Sequence, residues 1–441
     1  VYGVTRRWFG NGLGGALALG GAAGLAACGA PAGTGQPDAA GAPGGGPPGA
    51  PVRLLYLHQW SQTQGHGPVT DALVARFNAQ HPTTQVEAVY TGDYYAKLAA
   101  VLAGGDFPDV VTYNLSFAPL LVKKGVVVPA ETLYRGAERL SPAELIPAAR
   151  EMATYEGKLT VTPYALNSSG LALNASLYRK QGLEASRPPA TWNELLEQAR
   201  RLTDAGAEKP VWGTVFPRGT ADPISPLLAF AWQNGAELVD VQRRAAVWNS
   251  PAGIEALQFQ VDLVHRHRVA PFPNPANGNQ GDVAIWHIPP GGVSGLQLTV
   301  KDAFEWTTAE LPRGKQPATT VGGHSLAVLK TNRQHQAAWR FVHFWAQAAQ
   351  NAEYLVASAT LPPWRASEQH PTWQRFTREE PRIQPFVRML GYARATPKLT
   401  RWEEIIAIVQ RERDAAGAQQ KSPKEALDDA ARAAEPLIQE G

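Results

Sequence analysis

The sequence predicts an α/β fold, and two observations carry that prediction. Short apolar strands alternate with amphipathic segments from residue 52 onward, and helix starts later in the chain are marked by N-cap residues three positions before a glutamate. Val52–Trp60, "VRLLYLHQW", opens as a strand. In "GPVTDALVARFNAQHP", Val69, Leu73, Val74 and Phe77 recur at helical spacing. "TQVEAVYTG" alternates as a second strand, "YYAKLAAVLAGG" reads as a helix stopped at Gly104-Gly105, and Val110–Tyr113 reads as a third strand. This order predicts a largely parallel sheet. Ser141-Pro-Ala-Glu144, Thr191-Trp-Asn-Glu194 and Ser422-Pro-Lys-Glu425 each spell a capping box.

The 441 residues suffice for two or three domains or one larger two-lobed body. The net charge is +3, and the charges are spread along the chain without basic blocks, so nothing calls for nucleic acid. One cysteine, Cys28, excludes an intramolecular disulfide and a cysteine-rich zinc site.

Residues 1–27 have the layout of an export signal. Arg6-Arg7 supply positive charge and residues 12–27 are small and weakly apolar, too short and glycine-rich for a membrane-spanning helix. Gly10-Asn-Gly12-Leu-Gly-Gly15 spells G-x-G-x-x-G, but no strand precedes it and no acidic residue follows at the required distance, so the match is coincidental. Residues 29–51 are largely Gly, Ala and Pro with no apolar periodicity, a tether whose coil dimension is about 25 Å.

In parallel α/β sheets ligands bind beyond the carboxyl ends of the strands. Here those exits read His58-Gln59-Trp60, Thr91-Gly92-Asp93-Tyr94, Tyr113-Asn114 and Asn167-Ser168-Ser169, which are polar and aromatic with little charge.

"ALVARFNAQHP", "LAGGDFPDVV", "KKGVVVPAE", "YEGKLTVTPYALNSSGLALNASLYRKQGLE", "PPATWNELLEQARRLT", "GDVAIW", "TTVGGHSLAVLK" and "ATLPPW" run in an order that resembles the extracellular solute-binding proteins of bacterial ABC importers, in the cluster that binds sugars and glycerol phosphates. The resemblance implies two α/β lobes of the type II periplasmic-binding-protein fold with the ligand in the cleft between them. It places one lobe at 52–162 plus 322–360 and the other at 163–321 plus 361–441. "VTPYALN" and "TTVGGHS" become crossovers, with Gly322-Gly323 at the second. "LAAC" is similar to a lipoprotein cleavage box, making Cys28 a lipidated first residue of the mature chain. "TRRWF" is similar to a twin-arginine motif, with general secretion as the other route. A monomer held at the outer face of the membrane, or in the periplasm, and docking on permease transmembrane subunits is implied, with no cofactor and no metal.

A sugar needs aromatic faces for its C–H surfaces and paired donors and acceptors for its hydroxyls. Candidate platforms are Trp60, Tyr94, Tyr113, Trp286, Trp364 and Trp402. Candidate hydrogen-bonding residues are Gln59, Asp93, Asn114, Asn167, Ser168, Ser169, His287 and His324. Trp192, Trp339 and Trp345 fall on expected helices and read as core. "RFNAQHP", "TGDYYAKL" and "NSSGLALN" resemble the glycerol-3-phosphate-binding branch, which would make Tyr94, Ser168 or Ser169, and Gly322 or Gly323 ligand contacts. Against that branch, Asn114 replaces a glutamate, "HIPPGG" replaces a serine-bearing loop, and Thr360 replaces a tyrosine. A phosphate also wants a guanidinium fork, and near "TPKLTRW" the matching position falls on Lys398, on Arg401 or on neither. The sequence therefore leaves two ligands open, a neutral sugar first and a glycerol phosphate or its diester second.

Catalysis is disfavoured. No G-x-S-x-G, H-E-x-x-H or phosphate loop occurs, and His265 and His267, two apart on a helix, face different ways. A glycosidase would need two carboxylates on one cleft, and the sequence leaves Asp93 with Asp106 or Asp109 open as such a pair.

Overall fold

The computed structural model describes residues 51–62, 65–104, 107–134, 139–216, 226–273, 278–330 and 334–440. The export signal, the glycine motif, Cys28 and the tether up to residue 50 lie outside the described residues, as does Asp106.

The expected strand and helix alternation is present. β1 (Val52–His58), α1 (His66–Gln80), β2 (Thr84–Tyr90), α2 (Tyr94–Gly104) and β3 (Val110–Asn114) follow one another, and β1 pairs in parallel with both β2 and β3. Val69, Leu73, Val74 and Phe77 are the buried stripe of α1, which packs on the sheet because its apolar residues share one face.

The larger sheet is mixed, which corrects the expectation of a largely parallel one. β4 (Thr162–Ser168) and β8 (Thr319–Val328) run antiparallel to each other, and β8 also runs antiparallel to β3. The path is β9 (Ala393–Ala395), β8, β3, β1, β2, with β4 on the other side of β8. A second sheet has β5 (Gly170–Asn174) between β6 (Ile285–Ile288) and β7 (Trp306–Ala309), both antiparallel to it. The chain therefore passes between sheets at Ser169, where Thr319 Oγ1 donates to the Ser169 carbonyl oxygen at 2.8 Å. The expected lobe boundaries at 162/163 and 321/322 fall inside β4 and β8, since strand pairing keeps both strands whole within the larger sheet.

Thr191 caps α3 (Trp192–Leu202) through Oγ1, and Ser422 with Glu425 forms the reciprocal box at the final helix. Ser141 does not. Pro142–Glu144 makes only a 3₁₀ turn with no side-chain cap. Trp339 and Trp345 are fully buried as expected, and Trp192 stacks on Phe259 at 4.7 Å. Among the described residues no helix is long and apolar enough to cross a membrane, and no cluster of metal-ligating side chains is present.

Candidate functional site

A cleft of about 790 Å³ lies where the exits of β1, β2 and β3 face α4 (Gly292–Val300), the helix that follows β6. The larger sheet supplies Gln59 and Trp60 beyond β1, Tyr90 at the end of β2, Asn114 at the end of β3, Asn167 from β4, and Gly323 and His324 from β8. His66 opens α1. Gly291, Gly292, Ser294, Gly295, Leu298 and Thr299 come from the α4 side.

His324 organises the floor. Its Nδ1 is 3.4 Å from Gln59 Nε2 and its Nε2 is 3.4 Å from Asn167 Nδ2. Burial, with a smaller contribution from His66, lowers its pKa to about 3, so the ring is neutral. A neutral imidazole has one donor and one acceptor nitrogen, and both facing amide nitrogens are donors, so only one of the two amides can donate to the ring in this arrangement. Beside it, Trp60 meets His324 edge-on at 4.6 Å and stacks on His66 at 4.3 Å. Trp60 Nε1 donates to Tyr164 Oη at 3.0 Å, and His66 Nδ1 is 2.8 Å from Tyr354 Oη. Burial also lowers His66, to about 4.

Asn114 Oδ1 accepts from Ser116 N at 3.0 Å, capping the turn after β3, which leaves its amide nitrogen for the cleft. Gly323 is glycine because β4 passes so close. A Cβ there would sit 2.3 Å from the Ala165 carbonyl oxygen. The described lining contains no Asp, Glu, Lys or Arg.

Gln59, Trp60, Asn114 and Gly323, with Asn167 and His324, are thus brought together as the sequence suggested. The other expected contacts sit elsewhere because the fold uses them. Tyr94 is core, its hydroxyl donating to the Thr112 carbonyl, and Tyr113 is buried, which raises its phenol. Trp364 Nε1 donates to the Pro163 carbonyl at 2.8 Å, and Trp402 is fully buried. The Trp286 ring covers Gly278, where a Cβ would lie 2.3 Å from it. Ser168 is buried and Ser169 is tied to Thr319. Gly322 lies inside β8 opposite Asn167, His287 packs near Phe230, and Thr360 bonds Ser358. Asp93 is exposed ahead of α2, and Asp109 accepts from the Leu55 amide. Arg401 pairs with Glu404 and Glu440, and Lys398, whose pKa burial lowers, does not line the cleft. His265 and His267 bond separate partners, the Gly417 carbonyl and Arg200.

Sequence reasoning missed His66, Tyr90 and the face of α4. Tyr90 immediately precedes the Thr91–Tyr94 exit, and "HIPPGG" carries no local signal beyond its departure from the glycerol-3-phosphate-binding branch.

The profile of the family described as bacterial extracellular solute-binding protein matches residues 72–378, well over half the chain. The chain belongs to that family. It is 24% identical over 407 residues to the sn-glycerol-3-phosphate-binding periplasmic protein UgpB of Rhizobium meliloti (strain 1021), covering 86% of this chain and 92% of that one. Among solved structures, it is similar to the cyclic alpha-maltosyl-1,6-maltose binding protein from Arthrobacter globiformis, with a TM-score of 0.77, 23% identity, and 89% of this chain and 100% of that chain covered. UgpB from Mycobacterium tuberculosis in complex with glycerophosphocholine is similar to the same degree, with a TM-score of 0.77 at 20% identity, covering 89% of this chain and 99% of that one. These likenesses establish the two-lobed solute-binding fold for the described body.

Proposed function

We propose that this solute-binding protein is the receptor of an ABC importer and captures a neutral carbohydrate in the cleft. The observation that carries the reading is the lining chemistry. Amides, hydroxyls and two neutral imidazoles face the space with aromatic rings among them, and no charged side chain is present among the described lining residues. Such groups both donate and accept, which is what desolvated sugar hydroxyls require. A volume of about 790 Å³ is in the upper part of the range for drug-sized ligands and exceeds what a three-carbon glycerol phosphate would fill. The lining offers no carboxylate pair of the kind a glycosidase uses, so the proposed role is binding without turnover.

A glycerol phosphate or its diester is the second reading. It is supported by the N-terminal turn of α4 facing the cleft, where helix amides favour an anion, and by the names of the relatives. A buried phosphate without a cationic side chain is costly, which ranks this reading below the first.

Because the ligand would touch both walls, binding favours the closed arrangement of the lobes, and that form docks on the permease. The Leu25–Cys28 sequence supports a lipid anchor at the outer membrane face. A Cys28→Ser protein recovered in the membrane fraction would sink that part of the proposal. For the ligand, calorimetry with neutral saccharides, sn-glycerol-3-phosphate and glycerophosphocholine decides. Salt-insensitive binding of a neutral saccharide is expected, and binding confined to the phosphates overturns it.

A further inference from the structure

The open aromatic surface of the cleft is not where the sequence pointed. Trp60 is only 8% exposed and has one face covered by His66, whereas Tyr90 is 47% exposed and lines the same cleft. Four large hydrophobic side chains stand out as exposed among the described residues. Two of them, Tyr90 and Leu298, are on the cleft, Tyr90 at the end of β2 in the larger sheet and Leu298 on α4. Exposed apolar surface that rims a polar cavity marks a place where a ligand is covered on binding.

We propose that Tyr90 and the facing side of α4 form an outer subsite for a further sugar ring, so that the ligand is a neutral oligosaccharide of two or more rings. This rests on the carbohydrate reading above.

Gly291, Gly295 and Leu298 recur at helical spacing on the cleft face of α4, and the stretch from Gly291 to Thr299 runs about 12 Å along the axis, longer than one ring needs. Gly295 has no packing reason to be glycine. A Cβ there would meet nothing within 4 Å, although glycine inside a helix loses more backbone entropy than alanine. The space it leaves open is cleft space. The β1–β2 register sets the Tyr90 backbone opposite His58, and its ring lies 6.2 Å from the His58 ring, which places the phenol at the cleft mouth. A sugar's C–H face stacks on such a ring, whereas glycerol phosphate has no comparable face. The described cleft volume accommodates the added ring, and its uncharged lining extends to this end.

The test uses the purified full chain and its Tyr90→Ala and Gly295→Leu variants, titrated calorimetrically with glucose, galactose and mannose, their di- and trisaccharides, and sn-glycerol-3-phosphate. One oligosaccharide is expected to bind more tightly than its own monosaccharide unit. Tyr90→Ala is expected to weaken it about 10-fold while leaving the monosaccharide within about 2-fold. Gly295→Leu should give the same selective loss with an unchanged melting temperature. Equal affinity for monomer and oligomers, or equal loss for both in Tyr90→Ala, overturns the outer subsite and leaves the carbohydrate reading standing. Binding of sn-glycerol-3-phosphate alone, or of no saccharide, overturns both.

Discussion

The two walls of the cleft are made of different material. The wall built on the larger sheet presents side chains: Gln59 and Asn167 flank His324, with Trp60 and His66 stacked beside it. The opposite wall presents α4, whose cleft face is mostly glycine, serine and threonine, with Leu298 toward its end. A wall of interlocked side chains reads hydroxyl positions, because each group is held by a neighbour and offers its remaining valence in a fixed direction. A wall of small residues lets a ligand approach closely and selects by shape. Under the proposed carbohydrate reading, specificity for one ring belongs to the wall of the larger sheet and tolerance for ligand length to α4.

The sharpest way to break that contrast is Trp60→Ala. It removes the stack on His66 and the bond to Tyr164, and it should cost about 3 kcal/mol of stability in urea titration and at least about 10-fold in ligand affinity. Unchanged affinity would mean the side-chain wall does not read the ligand. Gly323→Ala comes next. Its Cβ collides with the Ala165 carbonyl, so a loss of about 2 kcal/mol is expected, while Gly295→Ala on the other wall, with nothing to collide with, should melt no lower than the parent. Equal destabilisation by both would erase the proposed difference between the walls.

Asn167→Ala should weaken ligand about 5-fold, the value of one hydrogen bond, by the same calorimetry. A pH series separates binding from folding. His66 and His324 titrate at about 4 and about 3 in the folded protein against 6.5 in the unfolded chain, so affinity should be flat from about pH 5 to about pH 8. Above 6.5 both states hold neutral rings. Below it the unfolded chain takes up protons that the folded site refuses, so thermal stability falls as pH drops from 6.5 toward about 3. An affinity that steps near 6.5 would place a charged imidazole in the cleft. The smallest effect is expected for Arg401→Ala, whose ion pairs lie on the surface away from both walls. Its dissociation constant should equal the parent's.

The α/β alternation from Val52 to Asn114 was legible because strand and helix periods are local properties, and β1 to β3 form where the pattern puts them. The caps at Thr191 and Ser422 were legible for the same reason. Ser141 shows the limit, since the same Ser-Pro-x-Glu spelling forms a full box at Ser422, where an 18-residue helix follows, and yields only a 3₁₀ turn at Ser141, where the helical segment stops after 3 residues. Six of the expected ligand residues, Gln59, Trp60, Asn114, Asn167, Gly323 and His324, lie on the cleft, and half of them are amides at or near strand exits. Tyr94, Tyr113, Trp364 and Trp402 share the composition of a sugar platform, but their sequence neighbours do not reveal whether a ring turns toward core or solvent.

By itself the sequence determined the family, the three-strand parallel start and the polar exit of β1, because each depends on residues close together in the chain or on a fixed order of segments. Only the tertiary structure decided which rings are open, that His66 joins Trp60, and that α4 closes the opposite side. Those choices depend on packing between segments up to hundreds of residues apart, such as Gln59 with His324, and on the buried environment that keeps the imidazoles neutral.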